Sequence, residues 1–387
     1  MTTNFEQLGL IAPLTAGITA AGIAVPTAIQ AEVIPAALAG KDIIGQSPTG
    51  TGKTLAYLLP LFQKIEPAKR ETQGLILAPT HELAIQIQRQ IELLITNSGL
   101  PITATPIIGD VNIMRQIDKL KEKPHIITGS GGRILELIQK KKINSQTIKT
   151  IILDEADRLL DDKNADNVRA VIKTTQKDRQ LLAFSATIPP AALGRVQELM
   201  RSPVEILSAR SKPEDKPDIK HVYFVSDRRD KFEALRKIVN SIHIDQALVF
   251  INRSADVELT VDKLNYHGLI AAGIHGKFLK EDRKKAMEGF RNGKLQLLVA
   301  SDLAARGLDI PGVEYVFHLD LPEDPEIYLH RSGRTGRAGA SGVSIAIITP
   351  REAALIDHYE QVLQIKMLPK YVSHGKVFDK RTAHRPK

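Results

Sequence analysis

The chain has 387 residues, 43% hydrophobic and 25% charged, with a formal net charge of +9 and no cysteine. This length is too great for one ordinary core and suits two domains, and the positive excess favours nucleic acid or an acidic surface as partner. Disulfides and thiolate metal sites are excluded, a reducing cytoplasmic setting is compatible, and the longest apolar runs are too short to span a bilayer.

The opening segment, from Met1 to Glu6, has no basic n-region, so no signal peptide is expected. Short β-rich apolar runs then alternate with longer amphipathic segments. In the first half the runs are Asp42–Gly45, Gly74–Ala78, Ile102–Ile108, His125–Thr128, Thr150–Leu153 and Gln180–Phe184. Between them, Glu82–Leu94 carries Leu83, Ile87, Ile91 and Leu94 at helical spacing. Ser208–Pro217 is polar, holds two prolines and has no apolar period, so it reads as a linker. The second half has runs at Ile219–Val225, Gln246–Ile251, Ile270–Ile274, Leu295–Ala300, Tyr315–Leu319 and Val343–Ile348. Runs that are apolar on both alternations suit strands buried between helix layers, and the alternation predicts a mostly parallel sheet formed twice. The expected domains are 1–207 and 218–365, joined by a linker at 208–217. Residues 366–387 carry seven Lys/Arg against one Asp, a net +6, and are expected to form a mobile basic tail.

Chemistry enters at Ser47-Pro48-Thr49-Gly50-Thr51-Gly52-Lys53-Thr54. This stretch follows a short strand and should open a helix over Leu55–Leu61. Glycines there let backbone N–H groups crowd around phosphates at a helix N-terminus. Lys53 would reach the β- and γ-phosphates of ATP, and the Thr54 hydroxyl would ligate Mg²⁺. Downstream, Asp154-Glu155-Ala156-Asp157 sets two carboxylates at the C-terminal end of a buried strand, where open α/β sheets bind ligands. Asp154 would hold Mg²⁺, and Glu155 would orient and deprotonate the attacking water.

With these motifs in order, the chain resembles the DEAD-box family of ATP-dependent RNA helicases over roughly residues 5–350. The resemblance implies two doubly wound, RecA-like parallel-sheet α/β domains flanking a cleft. Pro26-Thr27-Ala28-Ile29-Gln30, with Phe5 upstream, looks like the adenine-reading segment; a Gln30 amide could pair with the adenine edge. Thr49, Gly50, Thr51 and Gly52 would cradle the phosphates. Ser185-Ala186-Thr187 looks like the motif that ties the acidic residues to strand separation. Ser301 and Asp302 would belong to the RNA side, and Asp309 to the ribose of the nucleotide. In His330-Arg331-Ser332-Gly333-Arg334-Thr335-Gly336-Arg337, Arg334 and Arg337 match two arginine fingers, and His330 a contact to the acidic motif.

By the same resemblance RNA lies on a backbone-contacting track: Pro79, Thr80 and His81, then Gly109, then Arg133, and in the second domain Arg253, His275 and Gly276. Such contacts carry little sequence information. The track is where the chain departs from the family. His81 stands where Arg is usual, Asp110 replaces a Gly, Ser130-Gly131 replaces Thr-Pro, Arg253 stands for Thr, and Lys280 for Gln. Ile23 replaces the aromatic that normally packs on adenine. The resemblance implies an ATP-dependent RNA helicase opening short duplexes or remodelling RNA–protein complexes. An ATP-gated RNA clamp with little unwinding, or a DNA helicase of the wider superfamily, are the alternatives; the family-specific motifs disfavour the latter. The sequence names no RNA target, protein partner or oligomeric state.

Overall fold

The computed structural model describes residues 4–47, 50–109, 111–161, 164–186, 188–201, 204–208, 218–274, 280–301, 313–336 and 341–379. It divides into two compact units, Met1–Lys216 and Pro217–Lys387.

The first unit is built on β1 (Asp42–Gln46), β2 (Gly74–Leu77), β3 (Ala104–Ile107), β4 (Ile126–Gly129), β5 (Thr150–Asp154), β6 (Gln180–Ser185) and β7 (Val204–Ser208). All pairings are parallel, in the order β3-β4-β2-β5-β6-β1-β7. Alternate side chains serve different layers: Ile43 and Ile76 join one core cluster, Ile44, Leu75 and Leu77 the other. Both alternations must therefore be apolar. Helices Ala12–Ala20, Ala28–Leu38, Lys53–Lys64 and His81–Ser98 cover one face through residues such as Leu14, Val33, Tyr57 and Ile91. Helices Gly131–Gln139, Ala165–Lys173 and Pro190–Gln197 cover the other through Leu137, Val168 and Val196.

The second unit repeats the plan with β8 (Ile219–Val225), β9 (Ala247–Ile251), β10 (Ala271–Ile274), β11 (Leu297–Ser301), β12 (Tyr315–His318), β13 (Gly342–Ile348), β14 (Met367–Ser373) and β15 (Lys376–Asp379). The order is β10-β11-β9-β12-β13-β8-β14-β15, with β15 alone antiparallel to its neighbour. Helices Lys231–Ser241 and Val257–Tyr266 pack Leu235, Ile238 and Leu264 against one face. On the opposite face Met287 and Phe290 of helix Lys280–Arg291 meet Leu248 and Leu298, while Tyr328, Ile356 and Tyr359 meet Ala346 and Ile348.

Every apolar run expected from the sequence is a strand, but three strands were not expected. β7 stands just before the linker. β14 and β15 occupy the segment read as a mobile tail, and this corrects that reading. Met367–Ser373 pairs with β8, and Val372 and Val377 pack against the core cluster of Leu235 and Ile238. Pro369 has no N–H to give a ladder. β15 pairs with β14 only from Lys370 onward, so at Pro369 β14 has a ladder on one side only. The folded second unit thus extends past residue 365, and of the expected tail only 380–387 lies outside the described residues. Of the expected linker at 208–217, Ser208 is instead the last residue of β7, and 209–217 lie outside the described residues.

Candidate active site

The phosphate-loop segment links the end of β1 to helix Lys53–Lys64. Gly50 and Gly52 take φ of +84° and +91°, a conformation side chains rarely tolerate. A Cβ on Gly52 would also meet Gln30 Nε2 at 2.4 Å. Ser47 and Thr51 join their hydroxyls in a hydrogen bond, and Lys53 Nζ donates to the Ser47 carbonyl. Thr49 lies outside the described residues.

Asp154, at the end of β5, is buried. Its Oδ2 accepts from Tyr57 Oη at 2.8 Å and its Oδ1 from the Glu155 N–H at 3.0 Å. Tyr57 also shares a hydrogen bond with Thr54, so a buried chain of hydroxyls joins the two residues expected to hold magnesium. Burial pushes the Asp154 carboxyl up to about 6 despite the opposing charge of Lys53, and burial pulls the Lys53 ammonium down to about 8 despite Asp154, Glu155 and Asp157. Desolvation therefore works against both charged forms. The carboxylates of Asp154, Glu155 and Asp157 around one ammonium give a pocket that fits a divalent cation beside Asp154 and phosphate oxygens beside Lys53.

Glu155 is a non-glycine residue at φ +52°, ψ +54°, and it starts the short helix Ala156–Leu159. Its partly exposed carboxylate lies 3.4 Å from Arg158 Nη1. Ser185 Oγ donates to Asp157 Oδ1 at 2.6 Å, so β6 is tied to the acidic motif as expected; Thr187 lies outside the described residues.

Gln30 is buried behind this loop. Its Oε1 accepts from the Thr27 N–H at 2.9 Å and its Nε2 donates to the Gly52 carbonyl at 3.1 Å. One N–H and one lone pair of the amide remain for a base edge. Phe5 is only 4% exposed within the core cluster, so its ring holds the N-terminal segment down and presents little surface to a ligand. Ile23 packs against the same cluster.

The five track positions of the first unit lie in the segments that follow β2, β3 and β4. Thr80 caps helix His81–Ser98, its hydroxyl accepting from the Leu83 N–H, with Pro79 just before it. His81 Nε2 accepts from the Gly109 N–H at 3.0 Å. Arg133 Nη1 donates to the Val111 carbonyl, and Nε lies 3.1 Å from Glu136. Gln116, which the sequence did not single out, donates to the Ile108 carbonyl at 2.8 Å. His81, Gln116 and Arg133 therefore hold one loop.

In the second unit, His330 sits in the last turn of helix Pro325–Ser332 and Arg334 follows it, partly exposed. Arg331, between them, is 2% exposed: Nη1 donates to the Asp320 carbonyl and Nη2 to Asn252 Oδ1, both at 2.8 Å, with the guanidinium 5.4 Å from the Phe250 ring centroid. It joins the arginine-rich motif to the end of β9. Arg253 is 79% exposed there, 3.9 Å from Asp256. Ser301 departs from its expected place on an RNA-facing surface. It is fully buried, its hydroxyl 2.7 Å from that of Ser254, so it braces the segment after β9. Asp110, His275, Gly276, Asp302, Asp309 and Arg337 lie outside the described residues.

With this geometry in view, the relatives agree with it. Residues 27–196 match the model of the DEAD/DEAH box helicase family, and residues 230–339 that of the helicase conserved C-terminal domain. The chain is 41% identical over 345 residues to the DEAD-box ATP-dependent RNA helicase CshC of Bacillus cereus, covering 89% of this chain and 87% of that one. It is 39% identical to the probable ATP-dependent RNA helicase YfmL of Bacillus subtilis, covering 92% and 94%. Among solved structures it is similar to S. cerevisiae Dbp5 bound to RNA and ADP BeF3, with a TM-score of 0.83, 29% identity, and 94% and 95% coverage. The chain belongs to the DEAD-box family of ATP-dependent RNA helicases. It is an RNA-dependent ATPase. Among the described residues no helix is long and apolar enough to cross a membrane.

Proposed function

We propose that this helicase hydrolyses ATP at the pocket between the phosphate loop and β5, and couples that hydrolysis to local opening of short RNA duplexes in the cytoplasm. The observation that carries the reading is the buried hydrogen bond from Tyr57 Oη to Asp154 Oδ2, which sets the acidic strand end against the helix that starts with Lys53 and Thr54. Lys53 binds the β- and γ-phosphates. Thr54 and Asp154 hold Mg²⁺, which when bound supplies charge neutralisation to the phosphates. Glu155 accepts the proton of the attacking water. Gln30 offers its remaining N–H and lone pair to adenine, and Gly50, Thr51 and Gly52 line the phosphates. Arg334 and Arg337 neutralise charge on the transferring phosphoryl group, with His330 and Asp309 assisting from the second unit.

RNA is gripped by its backbone. The loop held by His81, Arg133 and Gln116, together with Gly109, positions the strand on the first unit, and Arg253, His275, Gly276 and Asp302 do so on the second. The test is a pair of measurements on Glu155→Gln: ATP binding should persist and RNA-stimulated hydrolysis should vanish. Near-normal hydrolysis would overturn the assignment of the base.

A further inference from the structure

The β14–β15 hairpin leaves one face uncovered. Strand alternation places Lys370, Val372, Val377 and Asp379 on one face and Tyr371, Ser373, Lys376 and Phe378 on the other. The first face is turned inward, with Val372 and Val377 against the core. On the second, Met367 is sealed by the cluster of Tyr328 and Tyr359, but beyond it Tyr371 and Phe378 stand 46% and 42% exposed. These two are direct cross-strand partners, stacked with centroids 5.6 Å apart and planes 26° apart.

On the hairpin Lys370 and Lys376 stand against one acid, Asp379. Lys376 shares its face with the rings, and that face of the hairpin carries no carboxylate. Asp379, on the opposite face and 80% exposed, is paired with Lys370. The sequence continues with Lys380, Arg381, Arg385 and Lys387 and no further acid. Exposed aromatic faces flanked by cations are the chemistry that binds single-stranded nucleic acid, since every base offers a stacking face and every nucleotide a phosphate. β14 runs parallel to β8, so Tyr371 lies towards the same edge of the sheet at which β9 and β11 end, beside Arg253 and Ser301. Four strand spacings separate β9 from β14, roughly 19 Å, a span of a few nucleotides.

We propose that the Tyr371–Phe378 pair, with Lys376, is an accessory platform on which bases of single-stranded RNA stack after leaving the track of the second unit. The proposal rests on the RNA track assigned above. The test measures binding of single-stranded oligouridylates of increasing length to the full chain, with a non-hydrolysable ATP analogue present. The unaltered protein should bind longer strands more tightly than the shortest that fills the track. Tyr371→Leu combined with Phe378→Leu should lose about fivefold or more on long strands, the lower end for one stacked base, and nothing on the shortest. Tyr371→Phe should keep the gain with length. Lys376→Gln should instead flatten the salt dependence by about 0.7 in log–log slope. Equal loss on all lengths would mean a folding defect, and an unchanged length dependence in the double variant would mean that no base stacks there; either overturns the proposal. Loss of self-association or of a protein crosslink with RNA binding intact would assign the face to protein and overturn it too. Failure of the unaltered protein to bind the shortest strand would remove the track itself, and the platform's premise with it.

Discussion

The two units share a parallel-sheet plan but fill their centres with different chemistry. At the strand ends of the first, burial opposes charge: it lowers the Lys53 ammonium and raises the Asp154 carboxyl, although each stands near the other and Glu155 and Asp157 also face Lys53. The second has a buried network of groups that stay neutral. His221 Nδ1 lies 2.9 Å from Tyr328 Oη, His318 Nε2 3.0 Å from Ser344 Oγ, and Ser332 Oγ 2.8 Å from Ser344 Oγ, with the His318 and Tyr328 rings stacked at 4.3 Å. Among the described residues its one deeply buried guanidinium, Arg331, donates to a carbonyl and an amide oxygen. A centre that holds charges against their desolvation is prepared for a ligand; a hydrogen-bonded neutral centre makes a stiff mount. On the reading proposed above, the first unit receives the nucleotide, and the second carries Arg334 just past the end of helix Pro325–Ser332.

The sharpest way to break this contrast is to remove groups from the receptor. Glu155→Gln should lower RNA-stimulated hydrolysis by about 10²–10⁴-fold while ATP binding survives, and Lys53→Ala should abolish binding itself; nucleotide titration beside a phosphate-release assay separates the two. Next comes Arg334→Ala, expected to cut hydrolysis about 10²–10³-fold with ATP affinity little changed. A large loss of affinity would mean that Arg334 belongs to ground-state binding. Arg331→Met tests the mount. It leaves Asn252 Oδ1 and the Asp320 carbonyl without their charged donor and should destabilise the second unit by about 3 kcal/mol, read by hydrogen exchange of the β9 and β12 amides, with ATP binding unaltered.

Acid should probe the same mount. Burial holds His221 down to about 4, and burial, Arg331 and His221 hold His318 well below its ordinary value. Between pH 6.5 and 4 the unfolded chain takes up protons that the folded unit refuses, so stability falls as pH falls through that window and is insensitive to these groups above it. His221 alone should account for roughly 3 kcal/mol by pH 4. Urea unfolding of the full chain at several pH values checks this, and a flat profile would show the network charged or exposed. The smallest effect is expected for Tyr57→Phe, which removes one hydrogen bond to Asp154 and should cost about 1 kcal/mol in binding of the magnesium–nucleotide complex.

What the sequence disclosed follows from how local each feature is. The phosphate loop and the acidic strand end lie in short continuous stretches whose spacing carries the chemistry, so Lys53, Thr54 and Asp154 were legible. Tyr57 was not: it looks like one more core aromatic in an apolar helix, although it stands one turn past Thr54, and its partner Asp154 is 97 residues away. Arg331 lay inside a recognised motif, yet its burial depends on Asn252, 79 residues distant. Ser301 shows the reverse error, a motif residue expected at a surface but buried against Ser254. β14 was hidden by the basic composition of 366–387, because composition cannot reveal that β8 still needs a neighbour. For the same reason, deleting 366–387 would remove Val372 and Val377 from the core cluster of Leu235 and Ile238, leave β8 without its β14 partner and damage the fold; removing 380–387 alone tests the charge of the last residues.

β8 also bears on how the protein is made. It is the first strand of the second unit to leave the ribosome, and its two sheet partners, β13 and β14, are among the last. Until they emerge, a strand with Val222 and Phe224 on it has no ladder on either side, a template for pairing with another chain. Closure by such distant partners is intrinsically slow. The first unit, whose strands are all synthesised earlier, can finish folding while the second is still waiting for its sheet.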